Sequence, residues 1–142
     1  MKRFIYEDHP KRNEFEKLYR DIQFIFNVVY VNERKSRRGK KRERNIRYNI
    51  NAVKKQRSDI PHNLIRSAII AMKNAWKDVP PGYNNVLNSE SEILVRMTSK
   101  TFYKYISGPH NNDFRYEMKV KLNEVVPVIE LEVIAVKSKE NF

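Results

Sequence analysis

The hydrophobic period changes part-way along the chain, and that change constrains the fold more than any other feature. In the first half, apolar residues recur every three or four positions. Phe15, Leu18, Tyr19, Ile22, Phe26 and Val29 make one stripe, and Ile65, Ala68, Ile69, Met72, Ala75 and Trp76 make another. A 3.6-residue helix places such positions on one face. From Phe114 onward the period becomes two. Phe114, Tyr116, Met118, Val120 and Leu122 alternate with Arg115, Glu117, Lys119 and Lys121, which only an extended strand sorts onto opposite faces. Helices followed by strands predict an α+β fold: two main amphipathic helices packed on a small, mostly antiparallel C-terminal sheet.

Local signals sharpen these elements. Residues 1–7 read as a short opening strand, and Asp8-His9-Pro10 as a helix start. The first helix should run to about Val31, with Arg12, Glu16, Lys17, Arg20 and Gln23 facing outward. Ser58-Asp59-Ile60-Pro61 starts the second helix, and Pro80-Pro81-Gly82 ends it. On its apolar stripe Trp76 reads as a core anchor. Residues 92–97 form a strand, and Thr98-Ser99 either caps a short helix through Ile106 or opens a further strand. Residues 125–136 are the expected hairpin partner of the Phe114 strand. Asn123-Glu124 would be the turn, and Lys119 and Lys121 would pair with Glu130 and Glu132. With 142 residues and no evident linker, the chain is expected to be a single domain over 1–142.

Between the helices the composition shifts abruptly. Twelve of the 29 basic residues lie in 34–57, against the single acid Glu43, while the remaining 17 basic and 16 acidic residues nearly cancel. The net charge of +12 is therefore one cationic segment on a near-neutral body. With little to bury, residues 32–57 are expected to be a flexible, basic, nucleic-acid-binding loop. Crowded like charges repel one another until a polyanion neutralises them and releases its counterions. The candidate phosphate contacts are Arg34, Lys35, Arg37, Arg38, Lys40, Lys41, Arg42, Arg44, Arg47, Lys54, Lys55 and Arg57. Tyr48 either stacks on bases or sits in the core between Ile46 and Ile50. Ile46, Tyr48, Ile50 and Val53 fit a helix or an extended piece equally well.

Other chemistry finds little to work with. The absence of cysteine removes disulfides, thiolate metal sites and cysteine nucleophiles. His9, His62 and His110 are scattered, and three glycines make no phosphate-binding loop, so neither a metal nor a cofactor is expected. No apolar stretch approaches a membrane span, and residues 1–7 turn acidic too early for a signal peptide. The expectation is a soluble cytoplasmic protein without a membrane partner. Glu117-Met118-Lys119, with Asp113 or Glu92, has the residue types of a magnesium-dependent nuclease, but alternating Glu and Lys also mark any exposed strand. A metal-independent endoribonuclease needs only an acid, a base and cations over the scissile phosphate, because RNA supplies its own 2′-hydroxyl. His110, Arg115, Lys119 and Lys121 would serve, and the helix-then-sheet order is similar to that of RelE-like toxin ribonucleases.

One stretch resembles a further family. Phe24-Ile25-Phe26-Asn27, then Asn32-Glu33-Arg34, a basic segment, and a helix from Ile60-Pro61 to Ala75-Trp76-Lys77 resemble the recognition and wedge region of TnpB-like transposon-encoded RNA-guided nucleases. The resemblance covers about residues 15–77. It implies a grip on guide RNA and heteroduplex backbone, but the family's catalytic carboxylate domain and zinc ribbon have no counterpart here. The leading expectation is therefore a non-catalytic nucleic-acid-binding protein that favours RNA over DNA, working alone or with a protein of a nucleic-acid-processing complex. A basic inhibitor that docks an acidic protein is the third reading.

Overall fold

A computed structural model describes residues 1–36, 46–77 and 91–136. The elements are β1 (Lys2–Ile5), α1 (Arg12–Ser36), α2 (Ile46–Gln56), α3 (His62–Lys77), β2 (Glu92–Thr98), α4 (Ser99–Phe102), β3 (Phe114–Lys121) and β4 (Ile129–Ala135). The four strands form one sheet in the order β1-β4-β3-β2, and every neighbouring pair is antiparallel. The α+β class read from the change of period is the observed one.

One sheet face carries the core. Ile93, Val95 and Met97 of β2, Tyr116, Met118 and Val120 of β3, and Ile129 and Leu131 of β4 are buried there. They pack with Leu18, Ile22, Ile25 and Phe26 of α1 and Leu64, Ile65, Ile69 and Met72 of α3. Among the described residues no helix covers the other sheet face. It carries Lys2, Arg96, Arg115, Lys119 and Lys121 interspersed with Glu92, Glu117, Glu130 and Glu132, so charges of both signs alternate across it.

Several local expectations change. Arg12 and Gln23 do not face outward. Arg12 is 6% exposed, and its guanidinium donates to the carbonyls of Ile5 (2.7 Å), Val126 (2.7 Å) and Pro127 (3.0 Å). Gln23 donates to the carbonyls of Lys121 and Glu124. These bonds satisfy carbonyls that irregular backbone would leave unpaired, which is why polar side chains sit at a packed boundary.

Asn123-Glu124 does not make a tight two-residue turn, since the connection between the strands spans residues 122–128. Its register places Lys119 beside Glu130, with an ion pair at 3.1 Å, but puts Glu132 opposite Glu117 rather than near Lys121. Thr98 does cap a short helix. Its hydroxyl accepts the amide of Thr101, and the helix ends at Phe102 rather than Ile106.

The largest change concerns the basic segment, which is not wholly a loop. α1 continues to Ser36, five residues past the expected end, and residues 46–56 form α2.

Candidate nucleic-acid interface

α2 is held by its inner side. Asn49, Ile50 and Val53 are buried, and Ile50 and Val53 join the core cluster. Asn49 is 0% exposed, and its Oδ1 accepts from Asn32 Nδ2 at 2.7 Å. That bond joins the end of α1 to the start of α2 and sets the rotation of α2 about its axis. A buried amide without its partner would lose its hydration for nothing, so this pairing strongly favours one orientation.

With that orientation fixed, the opposite face of α2 must be solvent-facing. Arg47, Tyr48, Asn51, Lys54 and Lys55 are all exposed. Arg47, Asn51 and Lys54 follow an i, i+4, i+7 spacing, and Tyr48, Asn51 and Lys55 follow i, i+3, i+7. The two rows are adjacent stripes of one helical face. Tyr48 is 41% exposed, whereas Ile50 is buried and Ile46 half-buried. Of the two positions open to Tyr48 from sequence, the outward one is occupied. The exposed face thus carries one phenol ring together with three basic side chains.

The remaining basic candidates divide into three groups. Arg34 and Lys35 fall in the last turn of α1. Arg37, Arg38, Lys40, Lys41, Arg42 and Arg44 lie outside the described residues. Arg57 is committed within the fold. Its guanidinium makes two 2.9 Å bonds to the Asp59 carboxylate and one of 3.2 Å to Asp21, and it lies 5.5 Å from the centre of the Phe24 ring. The Asp59 hydrogen bond, aided by Asp21, raises its pKa further, and Arg57 in turn pulls the Asp59 carboxyl down to about 2. Asp21 is itself buried and also accepts from the Tyr105 hydroxyl at 2.6 Å, so Arg57 belongs to an internal knot of polar groups. Burial and the adjacent Asp21 both push the Tyr105 hydroxyl well above its ordinary pKa.

The ribonuclease candidates are not brought together. Arg115, Lys119 and Lys121 stand on the helix-free face of β3. Lys119 is paired with Glu130, which raises its pKa. His110 instead lies against the Tyr103 ring, whose hydroxyl is 3.0 Å from that of Tyr116 on the core face. The sheet therefore separates His110 from the three cations. The Glu-x-Lys pair is likewise engaged, with Glu117 bound to Arg96 and Lys119 to Glu130. Among the described residues no group of three or more His, Cys, Asp or Glu is placed to hold a metal ion. Nor is any helix among them long and apolar enough to cross a membrane.

Trp76 is half-buried and packs nearly parallel to Tyr30, with ring centres 6.1 Å apart. Asn51 was missed in the sequence, because an asparagine between two apolar positions carries no signal until the rotation of α2 is known. No family model, curated protein or solved structure matches this chain.

Proposed function

We propose that the protein binds nucleic acid without cleaving it, RNA or an RNA-containing duplex in preference to DNA, through the outer face of α2 and the basic segment that leads into it. The observation that carries this reading is the outward stripe of Arg47, Tyr48, Asn51, Lys54 and Lys55 on a helix anchored from behind. Cations spaced along a rigid face meet successive phosphates, and a tyrosine between them offers a stacking surface to an unpaired base. Unpaired, splayed bases are characteristic of RNA loops, which is why RNA is favoured. The sequence holds no clear helix-turn-helix signature, so contacts to backbone and shape carry the affinity. The resemblance of residues 15–77 to the recognition and wedge region of TnpB-like nucleases points to the same class of ligand. The proposed setting is cytoplasmic, without a cofactor.

The test is fluorescence anisotropy with a labelled RNA hairpin, an RNA–DNA hybrid and a DNA duplex over a range of salt. Replacing Arg47, Lys54 and Lys55 together by Gln should lower the slope of log affinity against log salt by about 2.7 on a duplex, at ~0.9 per phosphate contact. Tyr48→Ala should weaken hairpin binding by about 1–3 kcal/mol and leave the slope unchanged. A wild-type protein with no salt-dependent binding, or a triple variant indistinguishable from it, refutes the proposal. Tight capture of an acidic protein in place of RNA would favour the inhibitor reading. RNA cleavage that is lost with Arg115→Ala or Lys119→Ala would favour the ribonuclease.

A further inference from the structure

A second feature lies on the core side of the sheet, at the end that α1 leaves uncovered. α1 begins only at Arg12 and α4 is a single turn. The inner surface of β1, β4 and β3 near their Arg3, Val133 and Phe114 positions therefore opens into a cleft of about 580 Å³. That size is within the range of sites for small organic molecules, ~300–1,000 Å³.

The lining has a particular chemistry. Phe102 and Tyr116 stack with ring centres 3.9 Å apart and planes 8° from parallel. Tyr103 stands at right angles to both, at 90° to Phe102 and 85° to Tyr116. Phe102 and Tyr116 are buried and spend a face on each other, so the half-buried Tyr103 and Phe114 are the rings of this corner left to meet a planar π-system. Within the corner the Tyr103 and Tyr116 hydroxyls share one hydrogen bond at 3.0 Å. Two phenols carry two O–H hydrogens and this bond uses one, so the pair keeps a donor and several lone pairs for a ligand. Burial and the neighbouring hydroxyl push Tyr116 up to about 12, so it stays protonated at neutral pH.

The rim is cationic. Arg3 lies exposed along one side. Lys11 is held on the other by the carbonyl of Ser107, in a turn that Glu14 fixes by accepting the Ser107 amide at 2.8 Å. Gly108 has a φ of +144° in that turn, a backbone conformation that any side chain would strain, so glycine suits the position.

We propose that this cleft takes the base of one unpaired nucleotide, stacked on the half-buried Tyr103 and Phe114 rings and hydrogen-bonded by the Tyr103–Tyr116 pair, with its phosphate on Arg3. The proposal rests on the reading of the protein as a nucleic-acid binder and adds a second point of contact to the α2 face. A planar, hydrogen-bonding, anionic ligand satisfies floor, hydroxyls and rim at once. A bare anion uses only the rim, and a neutral aromatic only the floor. The nucleotide is either free or part of a single strand, and the two sources are separable by experiment.

The experiment is amide chemical-shift mapping on the labelled full chain, titrated with AMP, GMP, CMP and UMP, with the matching nucleosides, with inorganic phosphate, and with a single-stranded RNA tetranucleotide. Shifts are expected around Tyr103, Phe114 and Tyr116. Arg3→Gln should weaken binding about tenfold and Tyr103→Phe severalfold, as loss of a charge-assisted and of a neutral hydrogen bond would. Arg3 is exposed, whereas Tyr103→Phe keeps the ring but removes the partner of the buried Tyr116 hydroxyl, so unchanged shifts away from the cleft are the check on folding. A response to the monophosphates assigns a free nucleotide, and a response to the tetranucleotide alone assigns a strand residue.

No shift at the cleft with any probe overturns the proposal, as does an equal response to inorganic phosphate alone or one indifferent to Arg3→Gln. The Arg47, Lys54, Lys55 variant separates the two proposals. A silent cleft with RNA affinity still weakened by that variant sinks only the cleft. An unaltered RNA affinity in that variant, with cleft shifts retained, sinks only the α2 face.

Discussion

The Asn32–Asn49 bond is the contact on which the candidate interface depends, so its removal is the most informative perturbation. Asn49 has no solvent exposure and Asn32 only 8%, and their amides meet at 2.7 Å. Asn49→Ala leaves the Asn32 amide buried without that acceptor, and Asn32→Ala leaves the Asn49 oxygen without that donor. Each single loss of this bond should cost about 1–3 kcal/mol. At 142 residues the chain lies just below the size range in which a kcal/mol shifts the melting temperature by roughly 2–4 °C, so a loss of about 2 kcal/mol lowers it by at least about 4–8 °C. Removing both amides leaves neither orphan. The double variant should therefore cost less than the sum of the singles, by about 1 kcal/mol or more. Urea denaturation followed by circular dichroism measures all four proteins, and unchanged m-values would show that the same cooperative unit unfolds in each. α2 contributes eleven helical residues, so a loss of helical signal in the single variants would report its detachment directly. Additive single effects, or singles costing under ~0.5 kcal/mol, would refute the claim that this bond orients α2.

Three further outcomes are expected. Arg12→Met should destabilise the protein by about 3 kcal/mol, because the carbonyls of Ile5, Val126 and Pro127 lose a charge-assisted donor, and hydrogen exchange should speed up first in β1 and residues 122–128. A loss below ~1 kcal/mol in urea would show that water replaces the guanidinium without penalty. Asp59 is held at about 2 against an ordinary 3.8, chiefly by Arg57. A depressed carboxylate contributes stability above its unfolded value that is lost as pH falls through the folded one. The melting temperature should therefore drop between pH 4 and 2, and less steeply in Asp59→Asn, whereas parallel profiles would remove Asp59 from the acid response. Lys119→Ala breaks an exposed ion pair and should change stability by under about 1 kcal/mol, with RNA affinity unaltered; a weakened RNA complex would move the interface to the open sheet face.

The change of period made the fold class legible. Amphipathic stripes and strand alternation each bury one face, and these elements have few ways to cover one another. The strand alternation of β3 and the stripes of α1 and α3 carried through unchanged because many apolar side chains enforce each. What failed was the assumption that polar residues lie outside. Arg12 and Gln23 are buried because distant backbone carbonyls supply partners, and a partner some hundred positions away leaves no trace in a local pattern.

The candidate site divides along the same line. Sequence by itself determined that the charge is concentrated in one segment, since summing charges requires no geometry. It could not determine which cations lie on an exposed helical face. Arg57, inside the basic window, is claimed by Asp59 and Asp21, while the face that carries Arg47, Lys54 and Lys55 is exposed because Asn49, Ile50 and Val53 are buried on the opposite side of the helix. Tyr48 shows the limit most clearly. Its neighbours fit a helix or a strand equally well, and only the packing of α2 against α1 and α3, at sequence separations no periodicity spans, turned its ring outward. The cleft is a product of tertiary structure throughout. Arg3, Lys11, Tyr103 and Tyr116 converge because β1, the first strand in the chain, pairs with β4, the last. That pairing is chosen by the energy of the whole sheet and by no feature of residues 2–5 alone.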